Sequence, residues 1–307
     1  MSPSPQPARP VVEDDATRLS RLLDSLPTLP MVALRLGELI HSRRSSVQQV
    51  AEVLRADPSL SAKLLRLVNS AYFGIPGGVT DVARAIPFVG FNTIYQLVLS
   101  VSVLETLKTP SGVHFDPRKL WLHSLAVASA ARVIGEDIRH TDPGSLFTAG
   151  LLHDMGKIAL AKVSPESFIG SVTIAREEGI SSVEAERRVG LPGHDRVGSD
   201  LARRWRLPAA LSVPVEAHHV VLKPEQRERM IGPHRVASEV IAVSDLIAQD
   251  VAITAGVGDP SARRPIDPMA QSLLDSLGLG SADLESLYSR VMAQLERSRP
   301  FLTLIDG

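Results

Sequence analysis

The 307-residue chain contains no cysteine, which excludes disulfide bonds and thiolate metal ligands. Aromatic residues make up only 4% of it, so aliphatic side chains must fill most of the core. The most apolar run, LVLSVSVL at 97–104, is too short to span a bilayer, and the Pro-rich start MSPSPQPARP lacks the apolar segment of a signal peptide. The formal net charge of -1 gives no reason to expect nucleic acid or an anionic membrane as a partner. We therefore expect a cytoplasmic protein.

Helical spacing of apolar residues dominates the chain and predicts an all-α fold. Four Asp-Pro pairs mark helix starts, because aspartate caps the first turn and proline at the first helical position loses no hydrogen bond. The pairs are Asp57-Pro58, Asp116-Pro117, Asp142-Pro143 and Asp267-Pro268, and they predict helices over 58–70, 117–135, 143–161 and 268–277. The stretch 251–267, VAITAGVGDPSARRPID, is typical of a linker.

A His-Asp pair, His153-Asp154, lies inside the apolar stretch GLLHDMGKIAL, and His123 and Asp245 lie in equally apolar helical runs. Burying an imidazole or a carboxylate without a partner is costly. One divalent ion could satisfy all four side chains with nitrogen and oxygen ligands that suit iron, manganese, zinc or nickel. The same residues could instead pair with one another or cap helix ends without any metal.

Further histidines could hold a second ion. His194 lies in LPGHDRVGSDL, and His218 and His219 are adjacent in VEAHHVV, where the sequence leaves open which of the two points inward. Two ions a few ångströms apart would activate a water molecule and clamp a phosphoryl group. No Gly-rich phosphate loop and no Gly-x-Ser-x-Gly motif is present, so P-loop and serine-hydrolase chemistry have no support.

The order of these residues resembles that of the HD superfamily of metal-dependent phosphohydrolases. The segments LPTLPMVALRLGELI, ADPSLSAKLLRLVNSAYFG and VARAIPFVG resemble the N-terminal half of an HDOD domain, the HD-related output domain of bacterial signalling proteins. The resemblance runs from about Leu22 to Asp245. It implies a five-helix N-terminal bundle packed on a degenerate HD-like helical half. With the linker, it predicts a flexible tail at 1–14, the bundle at 15–112, the HD-like half at 113–250, and a linker with C-terminal helices at 251–307.

The resemblance implies a regulatory module that binds signalling proteins in trans and is not catalytic. After His218-His219 the chain reads VVLKPEQ, without the Gly-Tyr-Pro loop of the HD-GYP phosphodiesterases, so cleavage of cyclic di-GMP in their manner is not expected. The oligomeric state is left open.

The alternative is a metal-dependent phosphohydrolase of the HD superfamily. Lys157 then matches the lysine that follows the His-Asp pair in active relatives, where it would face a phosphate; it could equally be a solvated side chain at a helix end. In this alternative, one ion is held by His123, His153, Asp154 and Asp245, and a second lies near His194 and His218. A third reading, between these two, is a metal or nucleotide that is bound for stability or sensing without turnover.

Overall fold

The computed structural model describes residues 15–40, 46–108, 116–250, 267–280 and 283–303. Within these ranges every regular element is helical and no strand is present, so the predicted all-α class is confirmed. The predicted tail 1–14 and the predicted linker up to residue 266 lie outside the described residues. The domain boundaries therefore stay a prediction.

The N-terminal part of the chain consists of six helices. The last five pack on one another, while the first packs on the helix His194–Arg204 of the second half. The six helices are α1 (Asp15–Asp24), α2 (Met31–Ile40), α3 (Val47–Arg55), α4 (Pro58–Val68), α5 (Val82–Val89) and α6 (Phe91–Thr106). Helix α6 also contacts the helix Pro143–Leu152 of the second half, so the two halves share an interface. A single continuous core of mostly aliphatic side chains runs from Leu19 to Phe301.

The second half is built around the 21-residue helix α7, which packs against α8, α15 and α17. Its helices are α7 (Pro117–Asp137), α8 (Pro143–Leu152), α9 (Met155–Val163), α10 (Pro165–Glu178), α11 (Ser182–Arg188), α12 (His194–Arg204), α13 (Ala209–Ala217), α14 (Pro224–Arg229) and α15 (Pro233–Asp250). The C-terminal elements are α16 (Pro268–Ser276), α17 (Leu284–Ser298) and a 3-10 helix (Arg299–Leu302). Helix α7 is thus the common support of the HD-like half and the C-terminal helix.

The Asp-Pro pairs begin helices as predicted. In all four pairs the aspartate carboxylate accepts a backbone N–H of the first turn: that of Leu60, Arg118, Ser145 or Met269. A cap of this kind contributes about 1 kcal/mol to helix stability. Three of the four predicted helices end within two residues of the observed ends.

The fourth prediction, one helix over 143–161, is wrong. The chain forms two helices there, α8 and α9, and His153-Asp154 is the junction between them. Asp154 has backbone angles φ -100° and ψ 14°, outside the α-helical range. The apolar period continues through the junction, which is why the sequence alone did not reveal it.

Among the described residues, no helix on its own has the length and apolar character needed to cross a membrane. Helices α5 and α6 have that length and apolar character only when they are taken together, and the pair is bent by 117°.

Candidate metal centre

Five elements bring seven histidine and aspartate side chains to one place. His123 comes from α7 and Asp245 from α15, while the junction of α8 and α9 supplies His153 and Asp154. Helix α12 begins with His194, and the last turn of α13 leads directly into His218 and His219. All the residues that the sequence singled out as ligands are therefore neighbours, and His219 joins them.

The first group of ligand atoms surrounds one oxygen of Asp245. His123 Nε2 lies 3.0 Å and His153 Nε2 lies 3.9 Å from Asp245 Oδ1. Asp154 Oδ2 faces the same group, at 3.4 Å from His153 Nε2 and 3.8 Å from His123 Nε2. Two imidazole nitrogens and two carboxylate oxygens thus converge, as an ion with mixed nitrogen and oxygen ligation requires.

The second group faces the other oxygen of Asp154. Asp154 Oδ1 lies 3.2 Å from His194 Nε2 and 3.9 Å from His218 Nε2. His219 Nε2 lies 3.0 Å from His194 Nε2. His194, His218 and His219 form one cluster whose geometry could hold a metal ion, so both histidines of the adjacent pair point inward. Asp154 stands between the two groups and offers one oxygen to each.

Three atoms of this cluster are buried and have no hydrogen-bond partner in the described part of the chain: His153 Nε2, Asp154 Oδ1 and His218 Nε2. His194 is close to Asp154 Oδ1, but not with hydrogen-bonding geometry. Unpaired buried polar atoms cost about 1–3 kcal/mol each, so a cluster of three calls for a ligand. The donor set of neutral imidazoles and carboxylates fits divalent transition-metal ions.

In two histidines, a hydrogen bond at Nδ1 leaves Nε2 as the nitrogen that can bind a metal. His153 Nδ1 lies 2.8 Å from the carbonyl oxygen of Gly150, and His218 Nδ1 lies 2.8 Å from that of Val215. A carbonyl only accepts, so Nδ1 carries the proton and donates it. Nε2 is then a free lone pair aimed into the cluster, which is the usual arrangement of a metal-binding histidine.

Glu186 is a member of the site that the sequence analysis missed. Its carboxylate lies 2.9 Å from His194 Nδ1 and also accepts the backbone N–H of His194 at 2.7 Å. Both side chains are fully buried. The carboxylate holds the ring so that Nε2 faces Asp154. The sequence indicated a buried position for Glu186 only weakly. Glu186 follows Val183 by three residues, which places it on the apolar face of the short helix α11.

The protonation of the histidines follows from burial and from their neighbours. Burial lowers the pKa of His153, and burial together with the neighbouring His219 holds the pKa of His218 well below its usual value. Burial and the charge of His194 lower the pKa of His219 to about 3. Burial alone would lower the pKa of His194, but the carboxylate of Glu186 outweighs it and raises that pKa to about 9.

Both aspartates are held ionised. Burial alone would raise the pKa of Asp154, yet the charges of His153 and Lys157 keep it well below its usual value. Burial acts on Asp245 in the same way and is outweighed by the hydrogen bond from His123, so its pKa is also lowered. The ionised carboxylates and the neutral rings of His153, His218 and His219 are in the protonation states that metal ligands need, whereas His194 must first lose a proton.

Lys157 lies one turn after Asp154, and its Nζ is 2.7 Å from Asp154 Oδ2. Burial alone would lower the pKa of Lys157, but the carboxylate of Asp154 outweighs it and raises that pKa, so the side chain is a cation. The side chains of Lys157, His123 and Asp245 are 19%, 14% and 10% exposed, whereas His153, Asp154, His194 and His218 are buried. Solvent therefore meets the cluster at an edge where the Lys157 cation and the Asp245 carboxylate lie.

Close backbone contacts at two glycines set the spacing of the cluster. A Cβ on Gly156 of α9 would stand 2.8 Å from the backbone nitrogen of Gly198 in α12. A Cβ on Gly150 of α8 would stand 2.8 Å from Cα of Ala128 in α7. Real Cβ atoms do not come so close, so glycine is what lets α9 meet α12 and α8 meet α7. These contacts hold His153-Asp154 beside His123 and His194.

The amino-acid sequence matches a known family and a known relative. The family model for the HDOD domain matches residues 26–221. A protein of uncharacterized function from Treponema pallidum (strain Nichols) is 26% identical over 235 residues, which are 75% of this chain. The chain spans only 45% of the length of that relative.

Solved structures share the fold. An HDOD domain protein of unknown function from Geobacter sulfurreducens superposes with a TM-score of 0.66 at 23% identity, over 96% of this chain and 99% of its own. A protein provisionally named a phosphohydrolase, from Shewanella amazonensis SB2B, gives 0.70 at 23% identity, over 94% and 97%. A protein provisionally named a signal transduction protein, from Marinobacter aquaeolei VT8, gives 0.70 at 19% identity, over 95% and 66%. At these identities the likeness shows the fold alone.

Proposed function

We propose that this chain, which belongs to the HDOD domain family, is a signalling protein that hydrolyses a phosphate ester at a two-ion metal centre. The proposal rests on the family membership and on the geometry of the cluster. One observation carries the proposal. The two oxygens of Asp154 face two separate groups of imidazole nitrogens, and the atoms His153 Nε2, Asp154 Oδ1 and His218 Nε2 are buried without hydrogen-bond partners in the described ranges.

The residues divide between two ions. His123, His153, Asp245 and Asp154 Oδ2 would hold one ion, and His194, His218, His219 and Asp154 Oδ1 would hold the other. Divalent ions at such a centre supply an activated water molecule and withdraw charge from a phosphoryl oxygen. The metal is a transition metal of the iron, manganese, zinc or nickel kind, because its ligands are imidazoles and carboxylates.

The protein's own groups prepare the site for an anionic substrate. The partly exposed side chain of Lys157 carries an ammonium group that can donate to a non-bridging phosphate oxygen and fix the orientation of the ester. Glu186 keeps the ring of His194 in place. The chain lacks the Gly-Tyr-Pro loop after His218-His219, so the substrate is a phosphate ester other than one recognised through that loop.

The test is metal analysis followed by turnover. Protein purified without chelator is expected to contain up to two equivalents of metal, and manganese-loaded protein is expected to hydrolyse bis(p-nitrophenyl) phosphate or p-nitrophenyl phosphate. Asp154→Ala should lose both metal and turnover, because it removes the carboxylate shared by the two groups. Asp24→Ala, which removes an exposed carboxylate on α1, should change neither. Metal-free protein that takes up no added manganese would overturn the proposal.

A second candidate is a regulatory module that binds metal without turnover and engages signalling proteins in trans. The observation that favours it is the enclosure of the cluster: five of its seven ligand residues are buried, and Lys157 is already paired with Asp154 at 2.7 Å. In that case added manganese would raise the melting temperature of the protein, and Asp154→Ala would abolish this rise. Neither phosphate ester would be hydrolysed.

A further inference from the structure

A cavity of about 390 Å³ lies between the N-terminal helices and the HD-like half. Its walls come from the loop between α4 and α5, from α5 to α8, and from the C-terminal 3-10 helix, whose Phe301 is buried against it. The volume falls in the range of small-molecule sites, about 300–1,000 Å³. None of the side chains of the metal centre lines it.

The cavity is distinct from the metal centre although one helix serves both. Arg132 lines the cavity and His123 belongs to the metal centre, nine residues apart on α7. Nine residues at about 100° and 1.5 Å each put the two side chains on opposite faces of the helix and about 14 Å apart along its axis. Any ligand of this cavity therefore meets a different set of groups from those that face the ions.

Aromatic rings line the cavity in a chain that is otherwise poor in them. The ring centroid of Tyr72 is 4.6 Å from that of Phe73, 5.3 Å from that of Phe147 and 5.5 Å from that of Phe301. Phe88 also lines the cavity and is 66% exposed, an unusual position for so large an apolar side chain. Flat apolar walls of this kind favour a planar ring as the ligand.

The polar groups of the cavity are mainly acceptors. Gln96 Nε2 donates to Asp142 Oδ2 at 3.1 Å. The hydroxyls of Ser100 and Thr148 donate to carbonyl oxygens of their own helices, which leaves their lone pairs as acceptors. A Cβ on Gly144 would stand 2.7 Å from Gln96 Oε1, so the glycine leaves room for the carboxamide.

The charges of the cavity disfavour a phosphate. Its one cation, Arg132, already donates to the Tyr72 hydroxyl and, at 3.1 Å, to Glu136. Glu136 and Asp142 both line the cavity, so two carboxylates face one guanidinium. A ligand with N–H donors and no negative charge meets these groups better than a nucleotide would.

We propose that this cavity binds a small uncharged aromatic heterocycle that carries amino or N–H donors, in the chemical class of an aminopurine base or nucleoside. The ring lies between the aromatic walls, with Phe88 as a flap at the mouth. Its donors face Gln96 Oε1, the hydroxyls of Ser100 and Thr148, and the carboxylates. The inference does not depend on the proposed hydrolysis, because no metal ligand takes part.

Calorimetric titration of the full chain with adenine, adenosine, purine riboside and AMP tests this. Adenine and adenosine are expected to bind, purine riboside at least 10-fold more weakly because it lacks the amino group, and AMP at least 10-fold more weakly because of its charge. No binding of adenine or adenosine would overturn the proposal. So would AMP binding as tightly as adenosine, which would contradict the charge argument.

Two variants locate the binding. Gln96→Leu removes the carboxamide at similar size and should weaken adenosine at least 10-fold. Phe88→Ala removes an exposed ring that the fold does not need and should weaken it at least 3-fold with an unchanged melting temperature. Met292→Ala removes an exposed apolar side chain of α17 outside the cavity and should leave the affinity within 2-fold. Adenosine binding that Phe88→Ala leaves unchanged would place the ligand elsewhere and refute the assignment.

Discussion

Glu186 and His194 form a fully buried pair, with the carboxylate 2.9 Å from Nδ1 of the ring. The carboxylate turns the opposite nitrogen toward Asp154 and makes the imidazole a better ligand. We expect Glu186→Gln to weaken binding of the second ion about 10–100-fold, the usual effect of removing such an outer partner. Metal titration followed by elemental analysis measures this loss.

The neighbouring Glu184 offers a matched control for that variant. It lies on the same helix but is half exposed and pairs with Arg188, so Glu184→Gln should leave both metal affinities unchanged. Equal metal affinities for Glu186→Gln and the unaltered protein would show that the buried pair serves packing alone.

Metal uptake should release a proton from His194. Its pKa of about 9 means that the metal-free ring is charged near neutral pH, and the proton on Nε2 must leave when that nitrogen binds an ion. The pKa values of His153, His218 and His219 are lowered, so these rings are already neutral and release nothing. We expect about one proton released per protein at about pH 7.5, falling toward none as the pH passes about 9.

The same proton sets the sign of a stability effect. The pKa of His194 rises from 6.5 in the unfolded chain to about 9, so its contribution to folding is complete below pH 6.5 and is lost as the pH rises through 9.

The proton release is measured by calorimetric titration of the protein with metal in two buffers that have different heats of ionisation. The difference between the two binding heats gives the number of protons released. Metal binding with identical heats in both buffers at neutral pH would contradict this assignment.

Lys157 should matter for turnover and not for metal content. Its side chain is 19% exposed, at the edge of the cluster where an ester would approach. We expect Lys157→Gln to keep two equivalents of metal and to lower the rate of phosphate ester hydrolysis about 100-fold, as loss of a charge-stabilising donor does. Lys162→Gln is the control, because Lys162 lies on the same helix but donates to the carbonyls of Thr106 and Lys108. If Lys157→Gln hydrolysed the ester at an unchanged rate, the lysine would serve only to neutralise the charge of Asp154.

Gly156→Ala should damage the site through the backbone. The added methyl would lie 2.8 Å from the nitrogen of Gly198, so α12 must move and take His194 with it. We expect a loss of about 1–3 kcal/mol in the free energy of unfolding, together with weaker metal binding. Gly170→Ala in α10 meets only Val189, at 3.9 Å, and should raise stability by up to about 1 kcal/mol. Chemical denaturation of both variants checks this, and a Gly156→Ala protein as stable as the parent would be the contrary result.

The sequence predicted what depends on neighbouring residues. Asp57, Asp116, Asp142 and Asp267 cap the helices that follow them, because a cap and its proline act within one turn. His123, His153, Asp154 and Asp245 also share one location, since each is a polar side chain in an apolar helical run that needs a buried partner.

What the sequence did not predict depends on contacts between distant segments. The junction at His153-Asp154 interrupts a continuous apolar pattern, and its conformation is fixed by packing of α8 on α7 and of α9 on α12. Glu186 owes its role to a histidine eight residues away across a loop. The cavity joins Tyr72, Arg132 and Phe301, which no local pattern links.

Helix α7 contributes Arg132 to the cavity and His123 to the metal centre, on opposite faces. It has buried alanines at positions 126, 128, 130 and 131, so its neighbours pack directly against the backbone. Because the same helix carries both residues, we expect occupancy of the cavity to change the affinity of the metal centre, and by the same factor in the reverse direction.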